Sequence, residues 1–126
     1  MPDLVKRNLF TRDEIVLCIY AARYGAAEIG GIDSIHQLRR RSSSSIQMKI
    51  CNIVAMCDDE GISRDPAQNA LSGLTAGKRG RRTNWDVLSQ YIKVPRAYHL
   101  LECQNIILQN QNIILQDKIS TLLTAG

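Results

Sequence analysis

The sequence predicts a mainly α-helical protein in which a small helix-turn-helix-like domain, residues 1–95, is followed by a heptad-repeat helix, residues 96–126. Three observations predict this fold class. Apolar residues recur three or four positions apart in several segments, and glycine- or serine-rich turns separate those segments. A capping box opens the first segment. Leucine returns every seven residues in the C-terminal segment, which is the pattern of a coiled coil.

Length and composition are those of one globular domain with an appendage. The chain has 126 residues, of which 44% are apolar and 22% are charged, and these fractions are close to globular averages. Every apolar run is far shorter than the roughly 20 residues that cross a bilayer, and the N-terminus does not look like a signal peptide. We therefore expect a cytoplasmic protein without a membrane partner.

The first helix is predicted from about Arg12 to Tyr24. Thr11 and Glu14 form the capping box, in which each side chain accepts a hydrogen bond from the other residue's backbone N–H. Apolar residues follow on a broad helical face, and Gly25 supplies the stop.

Two further helices are predicted around a serine run. After Gly30, Asp33 is expected to cap a short helix that ends near Arg40. Serine hydroxyls favour caps and turns, so the third helix is expected to begin within Ser42–Ser45. Isoleucines at spacings of four and three residues then make this third helix amphipathic.

The segment Asp58–Thr83 is rich in glycine, aspartate and arginine and is predicted to be a long loop with one helical turn around Pro66–Leu71. A fourth helix is expected over Trp85–Ile92, capped by Asn84. Pro95 ends that helix.

The C-terminal segment contains an internal repeat of seven residues, since residues 104–110 and 111–117 are nearly identical. In heptad notation, position d holds Leu101, Leu108, Leu115 and Leu122, and position a holds Tyr98, Asn105, Asn112 and Ile119. We predict self-association as a dimer or tetramer through Leu101, Ile107, Leu108, Ile114, Leu115 and Leu122. Isoleucine and Gln/Asn stretches also favour β-strands, but a strict seven-residue period favours a helix.

Positive charge is concentrated in two clusters, although the net charge is only +4 and the sequence pI about 9.0. Clustered cations are expected where a protein binds phosphates, and we predict binding to double-stranded DNA. The predicted DNA-binding residues are Arg39, Arg40, Arg41, Ser43, Ser44, Gln47, Lys49, Lys78, Arg79, Arg81 and Arg82. The alternative is that the cations form a solvated surface and that the serines only cap a helix.

The central part of the chain resembles the N-terminal DNA-recognition region of bacterial HNH restriction-type endonucleases. The matching stretches are Phe10–Glu14, Arg41–Ile53, Gly73-Leu74 and Trp85-Asp86, within about Arg7–Ile92. The resemblance implies a helix-turn-helix-like fold whose third helix enters the DNA major groove. Ser43 replaces a proline of the family pattern, and the nuclease half is absent, with the heptad segment in its place.

Enzymatic, metal and cofactor sites are not expected. The four cysteines lack a Cys-x-x-Cys pair, and His36 and His99 are not spaced with them as ligands. Cys18, Cys51, Cys57 and Cys103 are instead predicted to be free thiols, most of them buried. The serine run lacks an evident general base, so we do not expect nucleophilic catalysis.

Together these features predict an oligomeric, sequence-selective DNA-binding protein. A transcriptional regulator or a factor associated with a mobile element, a phage or defence is the expected role. The alternatives are a protein-interaction adaptor, a small inhibitor of a nucleic-acid enzyme, and the specificity subunit of a split restriction system.

Overall fold

A computed structural model describes residues 9–68 and 84–125, and within these residues the protein is mainly helical, as predicted. A turn of 3-10 helix, Ala27–Ile29, follows the first α-helix. The α-helices of the described residues are α1 (Arg12–Tyr24), α2 (Ile32–Arg39), α3 (Ser43–Glu60), α4 (Trp85–Tyr91) and α5 (Arg96–Ala125). The heptad segment is helical, so the β-strand alternative is wrong. None of these described helices combines the length and apolarity needed to cross a membrane.

Helix α1 lies at the centre of the fold and packs against each of the other four helices. Its bounds agree with the prediction, and the capping box forms between Thr11 and Glu14. Every residue from Glu14 to Ala22 is buried. A helix that is buried on all sides loses the usual alternation of polar and apolar faces, which explains the almost continuous apolar run in this part of the sequence.

The connection between α2 and α3 consists of Arg40, Arg41 and Ser42. Ser42 caps α3 by accepting a hydrogen bond from the Ser45 backbone N–H at 3.1 Å, as expected from the serine run. The prediction that Asp33 caps α2 is wrong, because Gly31 occupies that position with a φ of 81°. Asp33 lies instead in the first turn of α2, where its negative charge is favourable to the helix dipole.

Helix α4 begins after Asn84, as predicted, but the Asn84 side chain does not cap it. Its Oδ1 atom accepts a hydrogen bond from Lys49 Nζ at 2.7 Å, so it ties α4 to α3. Asn84 also has a left-handed backbone conformation, with φ at 71°. This long-range contact replaces the local cap that the sequence suggested.

The first part of α5 belongs to the core. His99, Cys103 and Ile106 are buried, and their spacings of four and three residues place them on one helical face. His99 Nε2 donates to the Val16 backbone carbonyl at 3.0 Å, and its ring stacks on Tyr91 with centroids 4.4 Å apart. The core therefore continues into α5 beyond the boundary at residue 95 that the sequence suggested.

The second part of α5 extends away from the core. Residues 111–124 are all exposed. Asn110, directly before them, donates from Nδ2 to the Gln37 backbone carbonyl at 3.3 Å. The expected oligomerisation residues Leu108, Leu115 and Leu122 are therefore at the surface of the single chain.

Three of the four cysteines are buried free thiols, as expected. Burial is the largest cause that raises the pKa of Cys18 and of Cys103 to about 12, and that of Cys57 to about 11. Cys51 is a partly exposed free thiol on α3. The buried thiols therefore act as small apolar side chains of the core.

Candidate nucleic-acid interface

The corner between α2 and α3 presents two arginines to solvent. Arg39 is the last residue of α2 and Arg40 is its C-cap, and both are exposed. Neither side chain forms an ion pair or a side-chain hydrogen bond with another described residue. No described residue neutralises the charges of Arg39 and Arg40, so both guanidinium groups can bind an external anion.

The backbone of this corner is held by specific hydrogen bonds. Arg40 has a left-handed conformation, with φ at 56° and ψ at 31°, and its N–H donates to the His36 carbonyl at 2.6 Å. His36 Nδ1 donates to the Arg41 carbonyl, also at 2.6 Å. Left-handed backbone costs a residue with a Cβ about 1–2 kcal/mol, and glycine is the usual residue there. The arginine bears this conformational cost, which suggests that the Arg40 side chain has a functional role.

Arg41 is turned inward, unlike its two neighbours. It is only 6% exposed, and its Nε and Nη2 atoms donate to the two carboxylate oxygens of Glu14 at 2.8 and 2.9 Å. The guanidinium also lies over the Phe10 ring, 3.8 Å from its centroid. Arg41 was included among the expected DNA-binding residues, but this geometry gives it a structural role, because its charge is already neutralised inside the protein.

Glu14 is fully buried and ionised beside Arg41. Burial alone would raise the pKa of the Glu14 carboxyl, but the Arg41 hydrogen bonds and charge, with hydrogen bonds from Thr11, lower that pKa below its ordinary value. The same pair raises the pKa of Arg41. Glu14 thus serves both the capping box of α1 and the ion pair that anchors the start of α3.

The first two turns of α3 carry an exposed face. Ser43 and Ser44 are exposed, as expected for residues that could contact phosphates or bases, and the first turn has no acidic residue. Met48 is 58% exposed and lies four residues after Ser44 on the same side of the helix. Met48 was not among the expected DNA-binding residues, because methionine within an apolar pattern is usually a core residue. An exposed apolar group on such a face can contact a thymine methyl.

Gln47 and Lys49 are less accessible than expected for DNA-reading residues. Gln47 Nε2 donates to Gln68 Oε1 at 3.4 Å, and both side chains are partly buried. Lys49 is held by Asn84 and lies over the ring of Phe10, with its Nζ atom 5.1 Å from the centroid. Burial lowers the pKa of Lys49. The structure therefore brings Arg39, Arg40, Ser43 and Ser44 together at the surface and gives Gln47 and Lys49 partners within the protein.

The second basic cluster, formed by Lys78, Arg79, Arg81 and Arg82, lies outside the described residues. Acidic side chains line the grooves beside both exposed arginines. Asp13 lines a groove with Arg39, and Asp117 lines a second groove with Arg40 and Lys118. Among the described residues, no cluster of three or more His, Cys, Asp or Glu side chains could hold a metal ion.

The expected oligomerisation residues divide into two sets. Leu101, Leu108, Leu115 and Leu122 are 53%, 55%, 55% and 73% exposed. Ile107 is partly buried against the core, and Ile114 is 39% exposed beside the groove at Arg40. The position-d leucines therefore form a continuous apolar stripe on the surface of the single chain, whereas Ile107 is already covered in part.

Comparison with protein-family models, with curated proteins and with solved structures found no match to this chain. The resemblance to the DNA-recognition region of HNH restriction-type endonucleases therefore remains a prediction from the sequence motifs.

Proposed function

We propose that this protein is an oligomeric DNA-binding protein in which α2, the connection Arg40–Ser42 and α3 act as a helix-turn-helix. The observation that carries the proposal is the pair of exposed arginines, Arg39 and Arg40, directly before the exposed N-terminal turn of α3; neither forms an ion pair with another residue that the structure describes. In this mode of binding, the N-terminal residues of the second helix contact base edges, and nearby cations contact the phosphates.

The start of α3 suits an anionic ligand for a second reason. The first backbone N–H groups of a helix lack partners within the helix, and the helix dipole adds positive potential there. Ser42 satisfies one of these donors by capping Ser45. With no acidic residue in the first turn, the arginines and the helix terminus act on a phosphate in the same direction.

The buried Arg41–Glu14 pair keeps this surface in place. It fixes the residue between Arg40 and Ser42 to α1, the central helix of the core. A rigid corner loses little conformational entropy when it binds, so more of the interaction free energy appears as affinity. Arg41 therefore supports DNA binding as a positioning residue and contacts no phosphate.

Pairing through α5 supplies the second half of the DNA contact. A single small helical module buries limited surface on DNA. When two modules are linked, binding of the first raises the effective concentration of the second at the neighbouring DNA site. The second basic cluster, residues 78–82, adds cations to each subunit. We place the protein among regulators or factors associated with mobile elements or defence, as the sequence suggested, and assign it no catalytic role.

A binding assay with charge-matched variants tests the proposal. Replacing Arg39 and Arg40 by glutamine should weaken binding to random duplex DNA at least tenfold at moderate ionic strength, because phosphate contacts are lost on every sequence. The control compares single changes: Lys93→Gln removes an exposed cation of the α4–α5 connection and should leave the affinity nearly unchanged, whereas Arg39→Gln alone should weaken it. Equal affinities of the corner variant and the wild-type protein would overturn the proposal.

A protein-interaction adaptor is the second candidate function. It is favoured by one observation, the exposure of Ile113 and Leu123, which extends apolar surface of α5 beyond the stripe at positions a and d. An adaptor would show little salt-sensitive affinity for DNA. The assay with the Arg39 and Arg40 variant therefore separates the two functions.

A further inference from the structure

We infer that α5 pairs with α5 of a second copy of this chain as a parallel, in-register, two-stranded coiled coil. The inference rests on the oligomeric part of the proposed function and specifies the partner, the direction and the register. It is carried by the placement of the stripe formed by positions a and d, which we call the seam: Tyr98, Leu101, Asn105, Leu108, Asn112, Leu115, Ile119 and Leu122.

The seam lies on the side of α5 that faces away from the core. Leu108 is two residues from the buried Ile106, and two residues of an α-helix are about 200° apart. His99 and Cys103 share the buried face with Ile106, whereas Leu101 and Leu108 are more than half exposed. Leu108 and Leu122 line grooves with Ile29 and Arg40 at the edge of the seam, but both remain more than half exposed, so a second helix can approach them.

The seam is long enough for a stable pair. It contains four successive pairs of a and d positions from Tyr98 to Leu122, which is about three and a half heptads and lies within the three to four heptads of a sustained coiled coil. At 1.5 Å per residue its length is about 37 Å. All four leucines at position d are at least half exposed, so pairing would remove from water an apolar surface that the single chain leaves open.

Asparagine at position a selects the direction and the register. Asn105 and Asn112 are both exposed and occupy the a positions of adjacent heptads. In a parallel pair, position a faces position a, so each asparagine meets the same asparagine of the second copy and their amides can bond to each other. In an antiparallel pair, position a faces position d, and asparagine would meet leucine. A buried amide without a partner costs about 1–3 kcal/mol.

The identical chain is the best match for this seam. A shift by one heptad would keep only one Asn–Asn layer and would place the other asparagines against Tyr98 and Ile119. The flanking positions e and g do not oppose pairing. Four of them are neutral glutamines, and the charged Glu102 and Lys118 face Ala97 and Leu123 of the second copy, so like charges do not meet. Only the second copy in register satisfies both asparagine layers and all four leucine layers.

The parallel direction has a consequence for the corner surfaces. Each core packs on the first half of its own α5, on the face opposite the seam. Two cores would then lie at the same end of the coiled coil, one on each side of it. Both α2–α3 corners would be presented together, which a two-fold symmetric DNA site requires.

The first experiment measures the mass of the full chain in solution by analytical ultracentrifugation. The expected mass is twice the 14.1 kDa of one chain. Leu108→Asp combined with Leu115→Asp should give a monomer with unchanged helicity by circular dichroism, because both side chains are exposed on the single chain. The matched control, Ser120→Asp, lies on α5 outside the seam and should remain dimeric. A monomeric or tetrameric wild-type protein, or a dimer that survives both aspartates, would overturn the inference.

The second experiment determines the direction of pairing. In a Cys51→Ser background, Leu122→Cys should form a disulfide-linked dimer under mild oxidation. Residue 122 lies near one end of the seam, so the two residues 122 of a dimer are close together only when the helices are parallel. The control Ser120→Cys, one of the exposed residues, should crosslink much more slowly. Equal rates would overturn the parallel register. Neither experiment contains DNA, so a parallel dimer that does not bind DNA would remove the proposed function and leave this inference standing.

Discussion

Arg41 Nε lies 2.8 Å from Glu14 Oε2, and this ion pair is buried between the start of α3 and the first turn of α1. The two residues are 27 positions apart in the chain. Removing one partner of a buried pair leaves an uncompensated charge in a low-dielectric interior. The pair therefore links the stability of the fold to the position of the α2–α3 corner, the proposed DNA-binding surface.

Glu14→Gln and Arg41→Gln should each lower the free energy of unfolding by about 3–5 kcal/mol, measured by urea denaturation. Arg39→Gln, a change at the neighbouring exposed arginine, should alter the free energy by no more than about 0.5 kcal/mol. Glu14→Gln combined with Arg41→Met should be less destabilising than the sum of the single changes. Similar effects of the Arg39 and Arg41 variants would contradict the structural role of Arg41.

Arg40→Gly should stabilise the fold and weaken DNA binding. Glycine adopts the left-handed conformation without the steric cost that Arg40 bears, so the free energy of unfolding should rise by up to about 1 kcal/mol. Arg39→Gly removes the same charge from the last residue of α2 and should instead lower that free energy by about 0.5–1 kcal/mol. Thermal denaturation and DNA titration of both variants test this. Arg40→Gly with undiminished DNA affinity would show that its side chain does not contact the phosphates.

Ser44→Asp should also separate stability from binding. A negative charge in the first turn of α3 is favourable to the helix dipole by about 0.3–1 kcal/mol, so the melting temperature should not fall. The same charge should repel DNA phosphates and lower the affinity severalfold. Ser89→Asp adds the same charge at an exposed position of α4 and should leave the affinity nearly unchanged. If both aspartates weaken binding equally, the start of α3 is not part of the interface.

His99 should make the stability depend on pH. Burial is the largest cause that lowers the pKa of His99 from the ordinary value of 6.5, although its hydrogen bond to the Val16 carbonyl acts in the opposite direction. Below pH 6.5 the unfolded chain therefore binds a proton that the folded chain does not, and the free energy of unfolding falls as the pH decreases from 6.5 to the pKa of the folded state.

Urea denaturation at several pH values between 5 and 7.5 measures this dependence. His99→Gln, which keeps a donor for the Val16 carbonyl but does not titrate, should have lower stability at neutral pH and a flatter profile. A variant with the same slope as the wild-type protein would assign the pH dependence to other groups.

Local features of the fold could be predicted from the sequence. The bounds of α1 follow from the capping box of Thr11 and Glu14 and the stop at Gly25, all of which act within one or two turns. The serine cap of α3 and the helical state of the heptad segment were predictable for the same reason. Each of these depends on neighbours along the chain.

The roles of individual polar residues could not be predicted, because they depend on distant contacts. Three adjacent arginines are equivalent in the sequence, but only Arg41 reaches Glu14, 27 residues away. Lys49 was expected at the DNA surface, but it meets Asn84, 35 residues away. The burial of His99 depends on Val16, 83 residues away. Sequence periodicity reports neighbours within a few residues along a helix, so it does not predict contacts between residues this far apart in the chain.

The salt dependence of the affinity for random duplex DNA tests the central claim most directly. For the wild-type protein, log K should fall steeply and linearly with log salt concentration, with a slope of about −0.9 for each neutralised phosphate. Arg39→Gln combined with Arg40→Gln should make the slope shallower by about 1 for each arginine lost from the interface. A wild-type affinity that does not change with salt, or equal slopes for the two proteins, would contradict DNA binding by the α2–α3 corner.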